Sequence, residues 1–143
     1  MATLERAIQI AASAHAGQVD KAGQPYVLHP IRVMLRVDTL EQKMAAVLHD
    51  VVEDTSVTLK DLLAEGFPPA VTEAVEALTK RSGEDRLAAA WRAVANPIAR
   101  IVKLADNTEN MDLSRIAEPT DKDFARLKEY EAVRAILLAP SAG

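Results

Sequence analysis

The segment His49-Asp50-Val51-Val52-Glu53-Asp54 sets an imidazole and three carboxylates into an otherwise apolar stretch. On a helix, residues four apart share a face, so His49 stacks with Glu53 and Asp50 with Asp54. Burying such groups without partners costs several kcal/mol, and a divalent cation is one partner that satisfies imidazole and carboxylate together. The same string also describes a solvated acidic edge with one core histidine, so it needs corroboration from elsewhere in the chain. Asp106 offers some. It lies at i+8 from Ile98 and i+4 from Val102, on the stripe that should face a core, although it would equally serve as a helix cap or as a partner for Lys103 or Arg100. Asn110, one turn further on, extends that polar track or is a surface amide. His29 precedes Pro30, where a histidine is a poor core filler but a well-oriented ligand.

Two imidazoles and two carboxylates suit manganese, iron or zinc, and the mixture of nitrogen with hard oxygen favours Mn²⁺. A cation there would lower the pKa of water and polarise a phosphoryl oxygen, while Glu53 or Asp54 positions the attacking water and shuttles its proton. The chemistry implied is hydrolysis of a phosphate ester or anhydride. Lys21, Arg32 and Lys103 are the basic groups nearest these motifs, either as phosphate contacts or as plain surface charges. His15 continues an apolar stripe with no carboxylate at helical spacing, so it reads as a hydrogen-bonded core histidine and stays outside the metal set.

Helices must position these groups. Leu4, Ile8, Ala11, Ala12 and His15 recur at helical spacing, predicting a first helix over 3–16 that Gly17 stops. A loop follows to His29, with Pro30 expected at the first position of the next helix. Thr39 to Gln42 forms a capping box for a helix expected to run on through Asp54, and Thr58 to Asp61 opens a short one that Gly66 ends. Further helices are expected over about 69–80 and 84–95. Asn96-Pro97 should open a helix through Met111, and Thr120 a last one over 121–138, with Phe124, Leu127 and Ile136 in the core. No strand pattern competes, and only the terminal Pro140 to Gly143 reads as frayed.

The chain has 143 residues, 49% hydrophobic but only 3% aromatic, so its core must be built from Ala, Val, Leu and Ile. That palette and length predict an all-α helical bundle in one domain over 1–143, with a core of about 3–138. A net charge of −4 argues against nonspecific nucleic-acid binding. The absence of cysteine excludes disulfides and thiolate-bound zinc. Glu5 and Arg6 stand where a signal peptide needs apolar residues, and no apolar run approaches the roughly 18 residues of a membrane span. A soluble cytoplasmic protein with a small-molecule partner, and no membrane partner, is expected.

Taken together, AHAGQVDKAGQPYVLHP (14–30), LHDVVEDT (48–55) and VKLADNTEN (102–110) resemble, in order and spacing, the HD hydrolase domain of the RelA/SpoT-homologue family. The resemblance covers about residues 3–138 and is similar to the stand-alone small alarmone hydrolase branch, because no sequence remains for synthetase and regulatory domains. It implies Mn²⁺-dependent removal of the 3′-pyrophosphate of guanosine tetra- or pentaphosphate (ppGpp, pppGpp), releasing GDP or GTP with pyrophosphate. It also implies His29, His49, Asp50 and Asp106 as metal ligands, Glu53 and Asp54 as the catalytic acidic pair, and Lys21 and Asn110 as substrate contacts. Two positions depart from the family pattern. Asp20 stands where Arg is common, and Asn107 replaces the Arg of many members, so two positive charges are lost on the substrate side. Asp20→Arg is accordingly expected to tighten binding of a polyphosphorylated guanine nucleotide. Hydrolysis of another phosphorylated nucleotide, such as the 2′-phosphate of NADPH, and a catalytically weak nucleotide-binding regulatory module are the alternatives.

Overall fold

The computed structural model describes residues 2–114 and 116–139; the Pro140 to Gly143 tail lies outside the described residues. Among the described residues the secondary structure is helical apart from a single bridge between Val19 and Pro25. In chain order the helices are α1 (Leu4–Ala14), α2 (Leu28–Leu35), α3 (Leu40–Leu48), α4 (Val51–Asp54), α5 (Leu59–Glu65), α6 (Pro69–Leu78), α7 (Arg86–Val94), α8 (Pro97–Asn110) and α9 (Asp121–Leu138). The all-α bundle expected from composition is what forms. No helix among the described residues is long and apolar enough to cross a membrane.

Local chemistry explains most boundaries. Thr39 and Thr58 each accept the backbone N–H three residues on, and Gln42 and Asp61 return the bond, so α3 and α5 begin with complete capping boxes. Asn96 caps α8 through Ala99 N at 2.9 Å, with Pro97 next to it. Gly66 ends α5 in the left-handed region, φ 86°. In α2 the expectation needs correction. The helix starts at Leu28, two residues earlier than Pro30 suggests, because Leu28 N and His29 N bond back to Pro25 and Tyr26 carbonyls. Proline is tolerated there since the first turn of a helix requires no N–H donor.

The other correction concerns the helix expected to run from Thr39 through Asp54. It breaks at His49 and Asp50, and α4 restarts at Val51. His49 N turns to Ala46 O at 3.3 Å, a tightened last turn, and the His49 ring Nδ1 bonds the same carbonyl.

Helix α8 packs against α2, α3, α6, α7 and α9 and so occupies the centre of the bundle. On one side lies the main core, including Ala7, Ala11, Val33, Ala45, Val47, Leu48, Val71 and Val102. On the other is a smaller cluster of Ala90, Val133 and Leu137 between α7 and α9. In α9 the buried apolar residues are therefore Val133 and Leu137. Leu127 and Ile136 are half-buried, and Phe124, expected in the core, is 50% exposed. Its position follows from the wall of Asp123, whose side chain turns inward to cap Thr120 and meet Lys21, leaving the next residue outward.

Candidate metal centre

Three places in the fold deliver four side chains to a single point. His29 comes from the first turn of α2, His49 and Asp50 from the break between α3 and α4, and Asp106 from the buried face of α8. One nitrogen or oxygen of each lies within 4.8 Å of the others. His29 Nε2 is 2.8 Å from Asp106 Oδ1 and 3.9 Å from Asp50 Oδ2, and His49 Nε2 is 3.2 and 3.0 Å from the same two oxygens.

The helix break is what makes this possible. Adjacent residues of a regular helix diverge by about 100° around the axis, so His49 and Asp50 in an unbroken helix would face different neighbours. The interruption turns both toward Asp106. It also leaves the Ala46 carbonyl to receive the His49 Nδ1–H, so that Nε2 faces the cluster, where it carries a proton or, in the neutral ring, a lone pair available to a cation. A backbone carbonyl behind the imidazole is the usual arrangement behind a metal-ligating histidine. Around the carboxylates, Tyr26 donates its hydroxyl to Asp50 Oδ2, Lys103 lies 3.2 Å from Asp106 Oδ2, and Asn110 Nδ2 donates to Asp106 Oδ1 at 3.2 Å.

The electrostatics call for positive charge. Burial disfavours charge on Asp106, but Lys103 and the two imidazoles outweigh it and hold the carboxyl well below its ordinary range. Burial likewise opposes a charged His49, yet Asp50 and Asp106 raise its proton affinity well above the usual value. A proton on His49 and a divalent cation at the centre are alternative answers to the same pair of buried anions. Two imidazole nitrogens, two carboxylates and no thiolate are a donor set that fits a divalent first-row cation.

The cluster lies where two cavities meet. One, of about 300 Å³, is lined by Val19, Lys21, Leu113, Ile116, Arg126 and Tyr130 among others. The second, of about 280 Å³, runs from the cluster past Glu53 and Asp54 to Lys80 and Arg86. Tyr26, His29, Asn110 and Tyr130 border both. Glu53 Oε1 accepts the Lys80 amide at 2.7 Å, which anchors the loop after α6. Burial, then Asp50 and Glu53, push the Asp54 carboxyl above its ordinary pKa.

All eight residues singled out from the sequence line these cavities. Asn110 touches the cluster directly, whereas Lys21 stands in the first cavity paired with Asp123 at 3.2 Å. Among the other bases considered, Lys103 joins the site through Asp106, and Arg32 turns to Glu109 at 3.5 Å and lines neither cavity. His15 lies outside the cluster, buried and bonded through Nδ1 to Gln18 at 2.9 Å.

The two departures take on structural roles. Asp20 Oδ1 accepts from Ala22 N and Gln24 N, both at 2.9 Å, so its carboxylate organises the loop that carries Lys21. Asn107 is buried and donates to the Tyr130 carbonyl at 2.9 Å, tying α8 to α9. Tyr26, Lys80, Arg86 and Tyr130 went unnoticed in the sequence reading. Only Tyr26 carries a sequence signal, lying three residues before His29; the others reach the site through packing.

Residues 7–142 match the HD domain family, 136 positions of 143. The chain belongs to the HD-domain family. Curated relatives of this HD domain include the guanosine-3′,5′-bis(diphosphate) 3′-pyrophosphohydrolase of Vibrio cholerae, 34% identical over 83% of this chain and 19% of the relative. The bifunctional (p)ppGpp synthase/hydrolase SpoT of Escherichia coli is 35% identical over 76% of this chain and 17% of its own length. The HD domain thus spans about a fifth of these relatives. A solved structure described as a metazoan orthologue of SpoT that hydrolyses ppGpp, with a role in starvation responses, superposes with a TM-score of 0.79. It is 26% identical, over 99% of this chain and 89% of that one. The resemblance to the hydrolase domain of the RelA/SpoT family, read from three motifs, is borne out.

Proposed function

We propose that this HD domain is a divalent-metal-dependent phosphohydrolase that removes the 3′-pyrophosphate of guanosine tetra- or pentaphosphate, releasing GDP or GTP with pyrophosphate. The observation that carries the reading is the convergence of His29, His49, Asp50 and Asp106 within 4.8 Å where two cavities join. The activities of the V. cholerae, E. coli and metazoan relatives suggest the substrate.

His29, His49, Asp50 and Asp106 would hold the cation, and their mixed nitrogen and oxygen donors favour Mn²⁺ over iron or zinc. When bound, it supplies charge that polarises a phosphoryl oxygen and acidifies water. The rest falls to the protein. Glu53 and Asp54 orient the attacking water and take its proton. The water oxygen joins the phosphorus next to the ribose, the bond from that phosphorus to O3′ breaks, and the proton ends on O3′.

The leaving pyrophosphate is assigned to the second cavity, because its lining carries three cations, Lys80, Arg86 and Lys103, of which Lys103 is held by Asp106 at the cluster. Arg86 is oriented for this by Glu129 at 3.1 Å and by the Tyr130 ring, 4.9 Å from its guanidinium carbon. The nucleoside then lies in the first cavity, with Lys21 and Asn110 at its border.

The test is ion-exchange analysis of products after incubating Mn²⁺-loaded protein with ppGpp, with NADPH and other nucleotides in parallel. GDP and pyrophosphate in equal amounts, abolished by a chelator, are expected. Turnover of another nucleotide alone would overturn the substrate assignment, and turnover of none would overturn the enzymatic reading.

A further inference from the structure

The geometry points to His15 and Gln18 as positioning residues that hold the end of α4, and with it Glu53 and Asp54, in register with the metal centre. Neither touches the cluster, and nothing in the chemistry of hydrolysis calls for them. The inference rests on the reading that this acidic pair acts on the water.

The hydrogen bonds around Gln18 are fixed in direction by elimination. Gln18 Nε2 lies 3.2 Å from the Asp54 backbone oxygen, and a carbonyl only accepts, so the amide nitrogen faces α4. The amide oxygen must then face His15, whose Nδ1 lies 2.9 Å away. An amide oxygen cannot donate, so His15 Nδ1 carries the proton. His15 is 2% exposed and its Nε2 has no hydrogen-bond partner among the described residues. A core position that needed only apolar bulk would take Phe or Leu without stranding a buried nitrogen. The polar atom that is used, Nδ1, aims at Gln18.

What the pair holds also matters. Helix α4 is a single turn of four residues following the break at His49 and Asp50. A lone turn has almost no stability of its own, since it closes about one hydrogen bond for the residues it fixes. Its far end is Asp54, whose carbonyl belongs to the orphan groups of a helix C-terminus and is taken by Gln18. The strut therefore runs from the end of α1, through His15 and Gln18, to the residue bearing one of the two catalytic carboxylates. The His15 ring also lies 5.0 Å from that of Tyr26, which donates to Asp50, so the same residue backs the other side of the break.

The experiment compares His15→Phe, His15→Asn and Gln18→Met in the full chain. Phenylalanine keeps the ring and loses the donor; asparagine loses the ring and keeps an N–H at the place of Nδ1. Three readouts are taken: bound manganese, kcat and KM on ppGpp, and amide hydrogen exchange of residues 51–58. For His15→Phe and Gln18→Met, retained manganese, KM within about twofold, faster exchange over 51–58 and a kcat lowered roughly 10- to 100-fold are expected, the scale of a misplaced catalytic group. His15→Asn should recover most of the lost kcat. The proposal is overturned if His15→Phe outperforms His15→Asn, if exchange over 51–58 is unchanged, or if manganese is lost along with activity. A wild-type protein that turns over no ppGpp overturns the functional reading instead, and the exchange data still decide whether the strut exists.

Discussion

Asp50→Ala separates the proposed role of the cluster as a metal centre from its role in folding. In the metal-free protein the change removes the acceptor of the Tyr26 hydroxyl, costing about 1–3 kcal/mol, together with the attraction to His49, while relief of the repulsion between Asp50 and Asp106 offsets part of the loss. The metal-free variant should therefore melt near or a few degrees below wild type. The manganese response should differ far more. At a hundredfold excess over Kd, binding to the native state alone stabilises by about 2.7 kcal/mol. At roughly 3–4 °C per kcal/mol for a domain of this size, wild type should gain about 8–11 °C. Asp50→Ala leaves three of four donors and loses the oxygen that lies 3.0 Å from His49, so at the same manganese concentration its gain should fall to within about 2 °C. Differential scanning calorimetry with and without Mn²⁺, with metal analysis after gel filtration, measures both quantities. An Asp50→Ala protein with the wild-type manganese shift, or a wild type with none at saturation, would refute the assignment of this cluster.

Other outcomes follow from the same geometry. Glu53→Gln and Asp54→Asn should keep manganese by metal analysis and lower kcat by roughly 10²- to 10⁴-fold, the usual contribution of a general acid or base. Asp20→Arg removes the acceptor of two loop amides, so KM for ppGpp should rise, contrary to the expectation from charge alone, while Asp20→Asn, which keeps Oδ1, should stay near wild type. Arg92, 2.9 Å from Glu84, holds the Glu84 carboxyl down to about 2 against an ordinary 4.5. Its folded pKa is depressed, so the stabilisation is fully present above 4.5 and disappears as pH falls from there toward 2. Glu84→Gln should flatten the acid dependence of Tm in that window, and an unchanged slope would count against the pair.

Much of the architecture was legible because it depends on local chemistry. Thr39, Thr58 and Asn96 bond within their own first turns, and Gly66 takes a conformation that side chains disfavour, so each boundary is written within four residues. His29, His49, Asp50 and Asp106 were legible for a related reason: polar groups on apolar stripes require partners, and only a few residue types can supply them to one another. The break at His49 was not legible, since LHDVVED has unbroken helical periodicity and no Gly or Pro. It is stabilised from outside, by Asp106 on α8 and by Tyr26, contacts 57 and 24 residues distant in sequence.

The same limit applies to charge. Asp20 and Asn107 looked like lost substrate contacts because sequence shows a side chain's sign and not what it is bonded to. Lys80 and Arg86 carried no signal in the sequence and became the far wall of a cavity only once the helices packed. What the amino-acid order determined by itself was most of the helices, their caps and the donor types available to the centre, all governed by interactions within a turn or by the inventory of donors. Which side chains meet, and where a cavity opens between them, is decided by the packing of helices far apart in the chain, and that information exists only in three dimensions.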